Sequence, residues 1–283
     1  MSHRFRFTKD CMDRLKRFAK GENPPAEEAV ASTETASVQE AQPSPRVGLI
    51  AFARTDVGRV RATNQDALIS AEGLWGVADG MGGHNGGETA SAGARDALTE
   101  LLKGKEPSAD ALREAICEVN ARLFRQQKQE TRLAGMGTTL TALWFSPEKV
   151  LVGHVGDSRA YRLREGELEQ LTSDHSLVAE LRRAGVLTPE QAENHPMRNV
   201  ITRAVGTEEG IETEIIEAER RRGDRYLVCS DGLHGMVSEQ ELKRMLASGT
   251  PESACGQMID AALAAGGRDN ISVVVLHDQE GKA

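Results

Sequence analysis

Five aspartates in this sequence stand where short apolar runs begin or end. Asp79 closes Leu74-Trp-Gly-Val-Ala and is followed by a glycine-rich stretch from Gly80 to Gly87. Asp157 follows Val150-Leu-Val-Gly-His-Val-Gly156, and Asp231 follows Tyr226-Leu-Val-Cys-Ser230. Asp269 precedes Ile271-Ser-Val-Val-Val-Leu276, and Asp66 precedes the apolar pair Leu68-Ile69. Apolar runs of this length bounded by glycine read as buried strands. An acid at such a strand end leaves the core and faces a cleft. Taken singly, each is an ordinary turn or cap residue. Together they pose a charge problem, because carboxylates gathered into one site repel unless divalent cations neutralise them. Hard oxygen donors, with glycine behind them to let a backbone carbonyl approach, suit Mg²⁺ or Mn²⁺.

Other chemistries are poorly served. The glycines after Asp79 are not followed by Lys-Ser or Lys-Thr, so the nucleotide-binding loop is absent, and the dinucleotide spacing is not met cleanly. No HExxH stands anywhere, which disfavours a zinc hydrolase. The four cysteines, Cys11, Cys117, Cys229 and Cys255, lack CxxC or regular spacing. That argues against a disulfide framework and suits a reducing cytoplasm, the expected location. No apolar run is long enough to span a bilayer.

The elements that must position these acids can be read in order. Val47 to Ala53 reads as a strand, with a turn near Asp56-Val-Gly58. Glu88 to Leu102 and Ser108 to Gln129 read as helices, the second with Leu112, Ile116, Val119 and Leu123 on one face. Thr138 to Phe145, Lys149 to Val155 and Ser158 to Leu163 read as consecutive strands, followed by a hairpin at Arg164 to Glu167. Helices follow over Leu177 to Ala184 and Thr188 to Asn194, then strands over Ile211 to Glu217 and Tyr226 to Ser230. Ser238-Glu-Gln-Glu241 is a capping box, and Thr250-Pro251 opens the last helix before a closing strand from Ile271 to His277. Strands in antiparallel-looking runs with helices in pairs favour an α+β layered domain over a doubly wound one.

Eight motifs carry a family resemblance: TDVGRVRATNQD (Thr55 to Asp66), VADGMGGH (Val77 to His84), GTTLTAL (Gly137 to Leu143), GHVGDSRAY (Gly153 to Tyr161), LTSDHS (Leu171 to Ser176), VITRAVG (Val200 to Gly206), CSDGL (Cys229 to Leu233) and GGRDNISVVV (Gly266 to Val275). In this order, over Val47 to Leu276, the chain resembles the metal-dependent type 2C serine/threonine protein phosphatases, the PPM family, in their compact bacterial form. The resemblance implies a four-layer sandwich of two antiparallel β-sheets flanked by helix pairs. It implies hydrolysis of phosphoserine and phosphothreonine in proteins by a metal-bridging water at a dinuclear Mg²⁺ or Mn²⁺ centre. Two such ions can make a nucleophile and neutralise a phosphoryl group, so no protein nucleophile is required.

Residue by residue, the resemblance implies that Asp79 bridges the two metals and Gly80 offers its carbonyl. Asp231 and Asp269 complete one metal's shell and Asp66 the other's. Asp157 with Asp231 matches a third, weaker site, although Gly-Asp-Ser also suits a plain turn. Arg61 is expected to grip the substrate phosphate, a task suited to a bidentate guanidinium. Where many eukaryotic relatives place His after Asp-Gly this chain has Met81, and His84 is the nearest imidazole. As a general acid, an orienting group or a structural donor, its role stays open. The segment between Ser176 and Val200 falls where the family has a flap beside the active site, and Arg182, Arg183, His195 and Arg198 make parts of it basic.

The first twenty residues carry seven Lys/Arg and two Asp, with Phe7, Cys11, Leu15 and Phe18 at helical spacing. A short basic amphipathic segment of this kind can dock on a partner or a membrane surface, or simply fray. Residues 21–46 read as a disordered acidic linker, with five Glu and no aromatic residue between Glu22 and Pro45. Tail (+5) and linker (−4, with Arg46) nearly cancel, so the acidity of the whole chain, net charge −8, belongs to the catalytic domain expected over residues 47–283. An acidic domain is a poor nucleic-acid binder. The expected partners are phosphoproteins and a cognate Ser/Thr kinase, and the expected state is a monomer. A catalytically dead relative that only binds phosphoprotein is expected to lose such metal aspartates, and here all are present.

Overall fold

The computed structural model describes residues 38–39, 48–83, 86–193 and 195–279. The basic tail, most of the acidic linker and His84 lie outside the described residues.

Among the described residues, twelve strands form two antiparallel sheets. The first contains β1 (Val38–Gln39), β2 (Leu49–Asp56), β8 (Arg159–Arg164), β9 (Glu167–Gln170), β11 (Arg225–Cys229) and β12 (Ile271–Asp278), in the order β1-β2-β12-β11-β8-β9. The second contains β3 (Asp66–Ala71), β4 (Leu74–Met81), β6 (Leu140–Phe145), β7 (Lys149–Val155) and β10 (Glu214–Glu219), in the order β10-β7-β6-β4-β3, with β5 (Gly137–Thr138) paired to the end of β4. Val38 and Gln39, read from sequence as linker, pair with Arg54 and Ala53 of β2.

The sheets pack face to face over Leu68, Trp75, Val77, Leu143 and Val152 from one side and Ala53, Ala160, Tyr226, Val228, Val274 and Leu276 from the other. Helices cover both outer faces. α1 (Gly86–Leu102) and α2 (Ala109–Gln129) lie on the second sheet, whose Ile69, Leu74, Ala78, Ala142 and Leu151 meet Ala94, Leu98, Leu112 and Ile116. Two further helices, Glu239–Leu246 and Pro251–Ala264, lie on the first sheet. The architecture is therefore the expected α+β sandwich of four layers.

This layering explains the sequence pattern. Every residue of β12 from Ile271 to Leu276 is buried, because odd positions face the helices and Val274 and Leu276 face the other sheet. Strands covered on both faces read as unbroken apolar runs instead of alternating ones. The small residues of α1 have an equally local reason: a side chain on Gly93 would come within 2.9 Å of Leu123 on α2. Caps fall where expected. Ser238 and Glu241 form the capping box, Thr250 accepts from the Ser253 amide, and Ser108 caps α2 through Ala111.

Several boundaries move. The first strand runs to Asp56, beyond the expected end at Ala53, because β12 pairs with it along its whole length. The strand expected over Ile211 to Glu217 occupies Glu214–Glu219, set by pairing with β7. The run expected from Thr138 to Phe145 breaks at Thr139, which turns its backbone toward Asp79.

Candidate active site

Strand register brings the acids together. Asp66 opens β3 and Asp79 lies near the end of β4, and the two face each other as direct partners. Asp231 follows β11 and Asp269 precedes β12, and these strands are antiparallel neighbours in the other sheet. Each sheet therefore delivers two carboxylates to the same end of the sandwich. Asp157 comes from the turn where the chain leaves β7 of the second sheet and enters β8 of the first. Asp231 opens a single helical turn, Asp231–His234, in which Gly232 is obligatory. A side chain there would reach 2.0 Å from the Asn270 carbonyl.

The backbone of Asp79 is clamped. Its N–H donates to Thr139 Oγ1 at 2.9 Å, and its carbonyl accepts from the Thr139 N–H at 2.8 Å and Thr138 Oγ1 at 2.9 Å. Gly80 follows because α1 starts hard against it: a Cβ there would lie 2.1 Å from the Gly87 carbonyl and 2.5 Å from that of Gln65. Asp66 receives Ser230 Oγ at 2.9 Å, a bond that joins the two sheets. Asn270 straps the loop carrying Arg61. Its Nδ2 donates to Val57 and Thr63 carbonyls at 3.0 Å, while Oδ1 accepts from the Gln65 N–H at 2.9 Å. Arg61, half exposed, donates to Asp269 Oδ2 at 2.8 Å.

The electrostatics follow from burial and crowding. Burial first, and then hydrogen bonds from Ser272 and Ser230 working against the Asp269 charge, leave the Asp66 carboxyl at about 6. Burial and then the Asp269 and Asp66 charges push Asp231 to about 7. Burial and the surrounding carboxylates hold Asp79 and Asp157 well above the usual range. Arg61 answers in the other direction. Burial opposes its charge, but Asp269, Asp79 and Asp231 outweigh that and raise its pKa. Asp66, Asp157 and Asp231 each keep one buried carboxylate oxygen with no hydrogen-bond partner. Buried oxygens left so are rare unless something else fills the site. An all-oxygen set with unanswered negative charge fits hard divalent cations.

A cysteine nucleophile does not fit. Burial pushes the Cys229 thiol, two residues before Asp231, up to about 12, so it stays protonated and unreactive.

Six residues picked from sequence, Arg61, Asp66, Asp79, Asp157, Asp231 and Asp269, thus meet at one end, with Gly80 at the bend beside them. The positioning residues Thr138, Thr139, Ser230 and Asn270 were not singled out, although each lies inside a motif. Their signal was a polar residue at a strand end in an otherwise apolar run.

A sequence model of the protein phosphatase 2C family matches residues 58–266. The serine/threonine protein phosphatase PstP of Mycobacterium tuberculosis is 42% identical over 226 residues, spanning 79% of this chain and 44% of PstP. The serine/threonine phosphatase stp of Listeria monocytogenes is 40% identical over 235 residues, spanning 79% of this chain and 93% of that protein. Among solved structures, the PstP/Ppp phosphatase of Mycobacterium tuberculosis superposes with a TM-score of 0.79 at 40% identity, covering 82% of this chain and 99% of that one. The PstP catalytic domain in complex with two manganese ions superposes with a TM-score of 0.75 at 40% identity, covering 81% of this chain and 97% of that one. The chain belongs to the protein phosphatase 2C family. It spans less than half the length of the PstP relatives it matches, at 44%.

Proposed function

We propose that this protein is a metal-dependent serine/threonine phosphoprotein phosphatase. The observation that carries the reading is the end of the sandwich where Asp66, Asp79, Asp157, Asp231 and Asp269 converge with three buried oxygens unpartnered. Asp66, Asp79, Asp231 and Asp269, with the Gly80 carbonyl, would hold two Mn²⁺ or Mg²⁺ ions, Asp79 between them. Asp157 and Asp231 would hold a third. Bound there, such ions supply a water nucleophile at neutral pH and neutralise charge on a phosphoryl group. The chain's own residues do the rest. Thr138, Thr139, Ser230 and Asn270 fix the carboxylates before substrate arrives, so no reorganisation is required at reaction. Arg61 offers a planar fork to the phosphate, and its present partner, Asp269, holds it at the mouth of the site.

The substrates are phosphoserine and phosphothreonine proteins, which a Ser/Thr kinase must supply, and the protein acts as a monomer. Among the described residues no helix is long and apolar enough to cross a membrane. Cys117, Cys229 and Cys255 are free thiols, which supports placement in the reducing cytoplasm.

Hydrolysis of p-nitrophenyl phosphate and a phosphothreonine peptide tests the reading, in Mn²⁺, Mg²⁺ or EDTA, with wild type and Asp231→Asn. The expected result is activity with Mn²⁺ that disappears in EDTA and collapses in the variant. Metal-independent activity, or none from folded protein, would overturn it.

A further inference from the structure

Behind the Asp157 turn lies a trio, the buried His154 and His175 with the partly exposed Glu214, whose ligating atoms fall within 4.8 Å of one another. Two imidazoles and a carboxylate invite a zinc reading, and the hydrogen bonds argue against it. A metal-binding histidine donates its other ring N–H to an acceptor. Here His175 Nδ1 accepts from the Gly156 N–H at 3.1 Å, so its proton sits on Nε2, which points toward Glu214 Oε2 at 3.8 Å. His154 is engaged at both nitrogens, with Thr141 Oγ1 at 2.9 Å and the Ser173 carbonyl at 3.2 Å. A cation would have to break these bonds to enter.

The same bonds describe a clamp. His175 N–H donates to the Gly156 carbonyl at 2.8 Å, so ring and backbone together hold both peptide groups of the residue before Asp157. Position 156 must be glycine, since at φ +109° a Cβ would sit 2.6 Å from Thr139 Cγ2. On its other side His175 roots the flap. Its carbonyl accepts from the Thr202 N–H at 2.8 Å, Ser176 bridges to Ile201, and the Leu177 N–H donates to the Val200 carbonyl at 2.9 Å. Within the flap, Leu177, Leu181, Met197 and Val200 form their own small apolar cluster, separate from the three large cores. Thr202 Oγ1 ties that cluster to the root through Glu180 Oε1 at 2.7 Å.

We propose that His175 is a positioning residue that registers the flap over residues 176–200 with the Gly156–Asp157 turn. Flap placement and the aim of the Asp157 carboxylate are then set together. The inference rests on the phosphatase reading only where it gives Asp157 a ligand's role.

The full-length protein tests this through amide hydrogen exchange and Mn²⁺ calorimetry, with His175→Leu, His175→Asn and Glu180→Ala. Asn places its oxygen near the Nδ1 position and keeps the acceptor, whereas Leu keeps bulk alone. Leaving the buried Gly156 N–H unpaired should speed its exchange by about ten-fold or more. The Leu variant should also weaken the most loosely held Mn²⁺ and spare the tighter ones, with the Asn variant close to wild type. Glu180→Ala, on the partly exposed flap, should speed Gly156 exchange in wild type and add nothing in His175→Leu. Unchanged Gly156 exchange in the Leu variant, or Leu and Asn behaving alike, would overturn the clamp. Wild type that takes up only two Mn²⁺ would remove Asp157 from metal binding, and Gly156 exchange would still decide the clamp.

Discussion

At one end of β11 and β12, Asp224 and Asp278 are buried against arginines; at the other, Asp231 and Asp269 join three more acids. Asp278 takes two bonds from Arg220, at 2.7 and 2.8 Å, and Arg220 also reaches the Ser146 carbonyl. Asp224 takes two from Arg164, both 2.7 Å, and a third from the Tyr226 hydroxyl at 3.0 Å. Burial works against the Asp224 charge, but these partners outweigh it and hold its carboxyl below the usual range. About 20 Å away along the same strands, five carboxylates converge, and Arg61 faces three of them, Asp269, Asp79 and Asp231. The residue types match and the outcomes are opposite. Acids answered by arginines fasten the sandwich shut. Acids left unanswered leave negative charge that the proposed cations would neutralise.

That contrast can be broken at either end. The largest expected effect is on stability: Asp278→Asn takes a charged, doubly hydrogen-bonded partner from buried Arg220 and should cost about 3–5 kcal/mol. The midpoint of thermal unfolding would fall by roughly 10 °C. Turnover per folded molecule should be unchanged, and a matching loss of turnover would mean the two ends are not independent. At the other end Asp231→Asn should lower turnover at least about 100-fold. The same change should leave EDTA-treated protein no less stable, because it removes one of several repelling charges. Thermal unfolding in EDTA reads this directly.

The pH dependence should differ in sign between the ends. In EDTA, Asp66 and Asp231 titrate near 6 and 7 in the folded state, above their unfolded values. Folded protein then binds more protons between about pH 4 and 7, so stability falls as pH rises through that window. Asp224 behaves oppositely, contributing stability above the unfolded carboxylate range and losing it as pH falls through its folded value. Urea unfolding of Asp231→Asn should show a shallower fall between pH 4 and 7 than wild type. The smallest effect is expected for Arg61→Lys, which keeps the charge and loses the fork. A rise of about ten-fold in KM with little change in kcat would place Arg61 on substrate phosphate.

Much of this was legible in the sequence, for reasons that differ by region. The acids were visible because strand ends are punctuated by glycine, as at Gly80, Gly156 and Gly232, where a Cβ would meet backbone carbonyls or, at Gly156, the Thr139 side chain at about 2.0–2.6 Å. Helix starts were visible through Ser108, Ser238 and Thr250, whose caps are local chemistry. Pairing was not. That Asp66 faces Asp79, or that Ser230 reaches Asp66 from the other sheet, depends on contacts 13 to 164 residues apart. Nor were the arginine pairs at the far end, because Arg164 and Arg220 look like surface residues until the fold buries their partners. The paired end was silent in sequence because its chemistry is completed only by folding.

The most direct test of the central claim is Mn²⁺ titration calorimetry on EDTA-stripped protein at about pH 6.5, run in two buffers of different ionisation enthalpy. The account predicts at least two Mn²⁺ per chain, with protons released on binding because Asp66 and Asp231 are partly protonated beforehand. It also predicts that Asp231→Asn loses most of that binding while Asp278→Asn keeps it. Binding without proton release, or binding that survives in Asp231→Asn, would contradict it.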